Sequence, residues 1–175
     1  MEEIQVMEKR IGRLIAGAGV AALAAGFVGM AQSNVKAATA TSSFAVTASV
    51  AANCTISAGA LAFGAYEPVV TNASTDLDQT STISVACTKG STGVVSLDNG
   101  ANFSSGRRMK AGANYLGYEM YNDSGRTTVW NSSNTVSYTA ASKAASSLTV
   151  YGRVAAGQDV PVGSYSDTVV ATITF

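Results

Sequence analysis

Apolar and polar residues alternate with a period of two in short runs throughout residues 41–175. Successive side chains of a strand point to opposite faces, so this spacing is typical of strands that bury one face. Gly, Asn, Asp and Pro separate the runs, and no stretch of this region has the spacing of a helix. The pattern therefore predicts an all-β fold, an antiparallel β-sandwich.

The polar stretches 71–79 and 103–108 are predicted loops, and no repeat or linker interrupts residues 54–175, so we predict a single domain there. Ser, Thr, Ala, Gly and Val dominate the composition and only 13% of residues are charged, which suits an exported β-protein. The alternating runs predict strands at 54–57, 61–66, 80–88, 94–97, 115–121, 127–130, 135–139, 147–154 and 165–175.

Residues 41–53 form the run that is hardest to place in such a sandwich. Four apolar residues share one of its faces: Phe44, Val46, Ala48 and Val50. Chain ends usually fray unless another element holds them. A strand here must pair either within its own sheet or with a neighbouring molecule, and the alternation alone leaves both open.

The N-terminal residues 1–40 are predicted to be a signal peptide with a helical apolar segment. Three basic residues precede an uncharged run at 14–35, namely Lys9, Arg10 and Arg13. Residues 38–40 (ATA) fit the A-x-A pattern of a cleavage site. Residues 35–37 (VKA) are a second candidate, which puts cleavage near residues 37–40.

Two alternatives concern this N-terminal region. A start at Met7 rather than Met1 would remove Glu2 and Glu3, which are unusual ahead of a basic segment. The run at 14–35 is also long enough to span a bilayer as an uncleaved anchor. Its high Ala and Gly content and the cleavage pattern favour removal and export.

Both cysteines, Cys54 and Cys87, follow the predicted signal peptide. Exported proteins usually oxidise such a pair, so a disulfide is the favoured interpretation. The alternatives are a metal site or a reactive thiol. A metal site is disfavoured because it needs more ligands and the chain contains no histidine.

Charge and residue types argue against several functions. Residues 41–175 carry nearly equal numbers of basic and acidic residues and no basic stripe, so we predict no nucleic-acid partner. Without histidine, Ser–His and Cys–His catalytic pairs are excluded.

The acidic residues offer two weak candidates for a site. Nothing in the sequence selects two members of a glycosidase pair from Glu67, Glu119 and Asp123. Asp76 and Asp78 lie in a predicted loop that lacks the ligand spacing of a calcium-binding EF-hand, so we expect solvated acids. We predict that the protein is not an enzyme and has no catalytic, cofactor or metal site.

Two further clusters have a structural and a functional interpretation. Residues 107–110 (RRMK) could contact an anion, but a solvated loop is the favoured interpretation. Trp130, with Tyr121 and Tyr138, could stack on a sugar ring. A tryptophan beside Val129 is more often part of a sandwich core.

Several motifs together resemble one known family. In chain order they are CTI at 54–56, LAFGAY at 61–66, ISVACT at 83–88, RM at 108–109, LGYEMY at 116–121, VYGR at 150–153, PVGSYSD at 161–167 and TITF at 172–175. This ordered set, with both cysteines, resembles the spore coat protein U domain family, which includes subunits of archaic (Csu-type) chaperone–usher pili. The resemblance spans nearly all of residues 41–175.

The resemblance implies an immunoglobulin-like β-sandwich that lacks one strand and is completed by a donor strand from another molecule. A periplasmic chaperone lends the strand first, and a neighbouring pilin subunit replaces it at the outer-membrane usher, which is strand addition at a sheet edge. The resemblance also implies export through the periplasm to a pilus on the cell surface, with a role in adhesion and biofilm formation.

By position, the resemblance assigns roles to particular residues. Residues 41–53 become the donor strand, with Phe44, Val46, Ala48 and Val50 facing the neighbour's groove. Residues 54–175 become the pilin domain, and Cys54 and Cys87 match the family's disulfide. The last strand matches the groove edge that a chaperone would bind, with Val169, Ala171, Ile173 and Phe175. A single domain suits a rod or minor subunit, since a tip adhesin would carry a second domain.

Two other functions stay open on the sequence alone. One is a self-contained secreted binding module, for example for carbohydrate, in which residues 44–50 pair within their own sheet. The other is a spore-coat or cell-surface protein that forms no pilus. Neither alternative requires a chaperone or an usher, which separates both from the pilin hypothesis.

Overall fold

A computed structural model describes residues 36–175, so the body of the predicted signal peptide, its helix and the choice between Met1 and Met7 lie outside the described residues. The chain divides into two compact units at Val46 and Thr47. The described part of the first unit, residues 36–46, has no helix or strand, and the second unit contains all the strands. No helix within 36–175 is long and apolar enough to cross a membrane.

Two antiparallel sheets make up the second unit. The larger has five strands in the order β1-β2-β7-β5-β4, and the smaller has three in the order β6-β3-β8. The predicted all-β antiparallel sandwich is thereby confirmed. The strands are β1 (Cys54–Ala58), β2 (Leu77–Cys87), β3 (Thr92–Leu97), β4 (Arg107–Ala111), β5 (Asn114–Tyr121), β6 (Val136–Thr139), β7 (Ser146–Val154) and β8 (Ala171–Thr174).

The longest ladder joins β2 to β7 in the middle of the larger sheet. Its register runs from Leu77 opposite Val154 to Val85 opposite Ser146. The alternation predicted for these strands is observed, because their inward residues are buried against the smaller sheet. Those residues are Ile83, Val85, Cys87, Val150 and Val154.

Trp130 lies at the centre of the core and is completely buried. Its indole Nε1 donates a hydrogen bond of 2.9 Å to the backbone carbonyl of Val95 in β3. The hydroxyl of Tyr138 in β6 donates to the carbonyl of Val85 in β2 at 3.2 Å, which ties the smaller sheet to the larger one. The interpretation of Trp130 as a core residue is confirmed, and its ring is not available to stack on a sugar.

Three predicted strands are shorter or missing. Residues 61–66 form no strand, because Leu61 and Phe63 pack inward while the backbone turns at Gly64, whose φ is 79°. The run 127–130 contributes one isolated bridge, between Tyr121 and Val129. The last predicted strand, 165–175, is reduced to β8, preceded by a single bridge between Lys110 and Ser166.

Two predicted loops instead contain strand residues. Residues 77–79 belong to β2, where Asp78 lies opposite Arg153 of β7 and pairs with it. Residues 107–108 begin β4, and Arg107 is buried. Both errors have one cause: the sequence pattern favours solvation of charged residues, whereas here cross-strand partners compensate them.

Candidate functional site

An apolar cleft of about 520 Å³ lies between the two sheets. Its walls are the chain after β1, residues 58–63, and the chain leading into β8, residues 165–171. The floor is formed by apolar or aromatic side chains of the inner sheet faces, namely Ile83, Leu97, Tyr118, Met120 and Val150. The five floor residues are themselves at most 8% exposed, so the cleft is unfilled space above a nearly buried floor. A sandwich normally fills the space between its inner faces with side chains.

A second cavity of about 680 Å³ continues along the same two stretches of chain. It is lined by residues 61–68 and 160–165, over a floor that includes Leu77, Leu116 and Val154. The two cavities share four lining residues and therefore adjoin: Leu61, Phe63, Met109 and Tyr165. Together they form what we call the inter-sheet groove, with walls at 58–68 and 160–171.

The strands at the two sides of the inter-sheet groove have free edges. Among the described strands, β8 pairs only with β3, and β1 pairs only with β2. β1 and β8 approach each other from the two sheets. Unpaired N–H and C=O groups at such edges are available to an added strand.

The four residues predicted for the groove edge are placed differently from one another. Val169 and Ala171 line the groove. Ile173 packs against the core beyond it, and Phe175 is 54% exposed. The binding of a chaperone along these four residues stays a prediction.

Gly152 of β7 determines how deeply the 58–68 wall can sit. A Cβ atom at this position would lie 2.6 Å from Leu61 Cδ2 and 2.9 Å from Phe63 Cζ. The side chains of Leu61 and Phe63 thus rest directly on the glycine backbone. Phe63 also packs edge-on against Tyr118, with ring centroids 6.0 Å apart. The wall is held by packing rather than by a strand ladder.

Asp167 anchors the opposite wall through its carboxylate. Oδ2 accepts a hydrogen bond of 2.8 Å from the Tyr118 hydroxyl, and Oδ1 accepts two from Asn102, from the backbone N–H at 3.1 Å and from Nδ2 at 2.9 Å. Burial, then the bond to Asp167, raises the pKa of Tyr118 well above its ordinary value of 10.0, so the phenol stays a donor. Gly100 is required beside this carboxylate, because a Cβ there would clash with Oδ2.

The predicted donor segment is exposed along its apolar face. Phe44, Val46 and Val50 are 85%, 83% and 84% exposed, and Ala48 is exposed as well. No residue from 36 to 53 is in a strand. Whether the four side chains enter a neighbour's groove stays a prediction.

Cys54 and Cys87 form a disulfide that joins β1 to β2. They are directly opposite each other at the first register position of the ladder. Just beyond them, Thr88 holds the approaching chain: its N–H donates to the Asn53 carbonyl at 2.9 Å and its hydroxyl donates to the Ala51 carbonyl at 3.2 Å. The segment before Ala51 is the part without such anchors to the domain.

The basic cluster 107–110 is not a solvated loop, which corrects the prediction. Arg107 is 2% exposed, forms an ion pair with Glu119, and donates to the backbone carbonyls of Asp98 and Trp130. Arg108 and Lys110 lie over the ring of Tyr115, with the Arg108 Cζ 4.1 Å from its centroid. Arg107 is therefore a structural tie rather than a site for an anion.

The acidic residues also have structural partners, which removes Asp76 and Asp78 as free loop acids. Arg153 donates to both carboxylate oxygens of Asp78, at 2.7 and 2.8 Å, and its Nη1 lies 3.2 Å from Asp76. The hydrogen bond from Arg153 lowers the pKa of Asp78 below its ordinary 3.8. The carboxylate of Glu67 accepts the backbone N–H groups of residues 69–71, which lowers its pKa too.

Asp123 is likewise engaged, accepting the N–H groups of Thr127 and Thr128 in the turn after β5, which lowers the pKa of its carboxyl. No group of three potential metal ligands lies close together within the described range 36–175. The geometry is therefore that of an apolar groove with structurally paired charges around it.

Comparison with known proteins assigns the chain to a family. The profile of the Spore Coat Protein U domain matches residues 40–172, well over half of the chain. The chain belongs to the spore coat protein U domain family. The resemblance found in the motifs is thus confirmed.

Two relatives place this member of the family. Protein U of Myxococcus xanthus is 42% identical over 172 residues, which cover 89% of this chain and 96% of that protein. A chain of the chaperone–tip adhesion subunit pre-assembly complex from archaic chaperone–usher Csu pili of Acinetobacter baumannii has a similar fold, with a TM-score of 0.52 and 22% identity. The match covers 72% of this chain and only 40% of the other, and it supports the fold alone.

Sequence reasoning missed three residues that shape the groove: Asn102, Gly152 and Asp167. Gly152 and Asp167 lie in the motifs VYGR and PVGSYSD, which carried the family resemblance but assigned them no role. A glycine inside a predicted strand often marks close approach by another part of the chain. Asp167 and Asn102 lie far apart in sequence, and no local pattern joins them.

Proposed function

We propose that this chain is a secreted structural subunit that polymerises by donor-strand exchange into a pilus on the cell surface. One observation carries the proposal: the same chain has an open apolar groove and an exposed alternating segment. If the segment of one copy bound in the groove of a second copy, apolar side chains of both would be removed from water, which is favourable. Family membership and the fold shared with a chaperone–usher pilus protein support the proposal.

The segment and the groove are complementary in chemistry, since both present apolar side chains. Residues 41–50, fully extended, would span roughly 33 Å. Burying the apolar face of the segment would contribute on the order of 5–10 kcal/mol. Most of this would come from Phe44, Val46 and Val50, because the small side chain of Ala48 adds little. Ladder hydrogen bonds to the free edge would add roughly 0.5–1.5 kcal/mol each. An interface of this kind would rarely dissociate.

The same groove implies the partners that precede assembly. An uncovered groove leaves the backbone groups at the edges of β1 and β8 unpaired, which favours aggregation before assembly. A periplasmic chaperone that lends a strand would cover it, and an outer-membrane usher would exchange that strand for residues 41–50 of the next subunit. Adhesion and biofilm formation would follow from the assembled filament.

Deletion of residues 41–50 tests the proposal directly. The shortened protein should still be exported and bind the chaperone, but filaments should be absent from the cell surface by electron microscopy. Filaments of normal length from the deletion strain would overturn the proposal.

A pair of substitutions in the segment separates sequence-specific insertion from a general effect of charge. Val46→Arg forces a charge into the groove and should abolish assembly. Thr47→Arg places the same charge on the opposite face, so it should leave assembly intact. Equal loss in both variants would argue against a strand inserted with this register.

A second candidate function is a surface coat component that forms no pilus. The observation that favours it is the 42% identity with Protein U of Myxococcus xanthus over nearly the whole of that protein. Genes for a chaperone and an usher beside this one would favour the pilus. A purified protein that stays monomeric and unfolds cooperatively without a chaperone would favour the coat component.

A further inference from the structure

In the assembly proposed above, tension along a filament would pass through one short stretch of each subunit. The donor segment would be held in the neighbour's groove, and the chain would re-enter its own domain at residues 51–54. From there the force would reach β1. Any role of the fold in withstanding this force rests on the proposed function, because the tension exists only in a filament.

β1 on its own is a weak attachment point. It is a five-residue edge strand that, among the strands of residues 36–175, pairs only with β2, from Cys54 opposite Cys87 to Ala58 opposite Ile83. A force that peeled or slid β1 away would have to break only this short ladder. The chain after β1 is the 58–68 wall of the inter-sheet groove. Loss of β1 would therefore also release the donor strand of the other neighbour.

The disulfide lies where the force would enter. Cys54 is the first residue of β1, and its partner Cys87 is the last residue of β2. β2 is a central strand whose ladder with β7 extends from Leu77 to Val85. A covalent bond at the first register position prevents β1 from separating before β2 itself is pulled out.

Cys87 also connects both sheets. The chain leaves it through a short turn at 88–91 and enters β3 of the smaller sheet. Two backbone hydrogen bonds hold this turn to Ala140. The Gly90 N–H donates to the Ala140 carbonyl at 2.8 Å, and the Ala140 N–H donates to the Ser91 carbonyl at 2.9 Å. Force delivered to Cys87 is therefore shared by β2 and β3.

Thr88 aligns the incoming chain with this junction. Its N–H and hydroxyl bind the carbonyls of Asn53 and Ala51, so residues 51–53 run alongside the end of β2. We propose that the Cys54–Cys87 disulfide is a mechanical clamp that transfers tension from the donor segment to both sheets and keeps the groove wall in place under load. Its role in an unloaded filament is smaller.

Stretching of assembled filaments with optical tweezers tests this clamp. Wild-type filaments, assembled first and then reduced, are compared with untreated ones, and thiol labelling verifies that Cys54 and Cys87 are free. Reduced filaments should break at lower force. Reduction after assembly avoids any folding defect of a Cys54→Ser, Cys87→Ser variant.

Thr88→Val is the matched control, because it removes the hydroxyl hydrogen bonds and keeps the disulfide. Its filaments should break at the wild-type force, since the covalent bond carries the tension. Equal rupture forces before and after reduction would overturn the clamp, as would a Thr88→Val loss as large as that caused by reduction. The proposed function fails by a different result, namely filaments that assemble without residues 41–50.

Discussion

Two regions of this sandwich treat their apolar and polar groups in opposite ways. Around Trp130, one chain supplies every partner. The indole is fully buried and its Nε1 donates to the Val95 carbonyl. The buried Arg107 forms an ion pair with Glu119 and donates to the carbonyls of Asp98 and Trp130. Along the inter-sheet groove, space above the floor stays unfilled and the edges of β1 and β8 stay unpaired, while the segment with Phe44 and Val46 is exposed. The first region has all its partners within one molecule, whereas the second retains unfilled space and unpaired strand edges.

The difference lies in which groups find their partners within a single chain. Buried polar groups are tolerated only when they are hydrogen-bonded, and the described residues contain no buried side-chain N or O atom without a partner. The groove has no such polar deficit, because Asp167 and Tyr118 satisfy each other. It lacks only apolar cover and ladder partners, which a strand from another molecule can supply.

The largest effect should come from disrupting the complete region. Trp130→Ala removes a fully buried ring and should lower the free energy of unfolding by about 3–5 kcal/mol. Trp130→Phe, which keeps an aromatic ring but loses the bond to Val95, should cost less. Chemical denaturation of the exported form measures both. A loss below about 1 kcal/mol for the alanine variant would contradict the assignment of Trp130 as the core centre.

The open region should respond to an added strand. A synthetic peptide of residues 41–50 should stabilise the protein by roughly 2.7 kcal/mol at a concentration 100 times its Kd. Hydrogen exchange should slow in β8 and at 58–66 and stay unchanged around Trp130. A peptide with Val46→Arg is the control. Protection spread evenly over both regions, or none, would break the contrast between them.

Tyr118 lies where the two regions meet, since it lines the groove and bonds to Asp167. Tyr118→Phe keeps the ring against Phe63 and removes the hydroxyl bond, so the free energy of unfolding should fall by about 1 kcal/mol. Peptide binding should weaken with it, because the 160–171 wall loses an anchor. An unchanged affinity, measured by fluorescence anisotropy, would place Tyr118 with the core alone.

The smallest effect should be a loss of stability in acid. The pKa values of Asp78, Glu67 and Asp123 are all lowered in the fold, Asp78 mainly by its bond to Arg153 and the others by backbone N–H groups. The unfolded chain therefore takes up protons first as the pH falls. The stability that these three carboxylates contribute is nearly complete above about pH 5 and declines below it.

Denaturation at pH 7, 4 and 3 measures this decline, and Asp78→Asn should make it shallower. Asp78 and Asp123 lie outside the groove lining, whereas Glu67 lines its outer part. Asp78→Asn should therefore reduce the acid-induced loss of stability by the same amount whether or not the peptide of residues 41–50 is bound. A smaller reduction in the presence of the peptide would link Asp78 to the open region.

Much of the fold is predictable because burial follows local alternation. The predicted strands at 80–88, 115–121 and 147–154 are observed with alternating burial, and the core position of Trp130 and the cysteine pair are predicted correctly. The predicted strand at 61–66 is wrong because its alternation is satisfied by packing on Gly152 rather than by a ladder. β4 is not predicted because the sequence does not show that Glu119 and two carbonyls lie beside Arg107.

The sequence by itself determined the all-β class, the family, the disulfide pair and the alternating face of residues 41–50. The class and the alternating face depend on a period of two, which is a local property. The disulfide follows from two cysteines in an exported region, and the family from the resemblance of an ordered set of motifs. Only the tertiary structure decided that the groove runs between 58–68 and 160–171, that Asp167 and Gly152 shape its walls, and that the disulfide lies at the entry to β1. Those features join residues far apart in the chain, and their contacts arise only when the two sheets have packed.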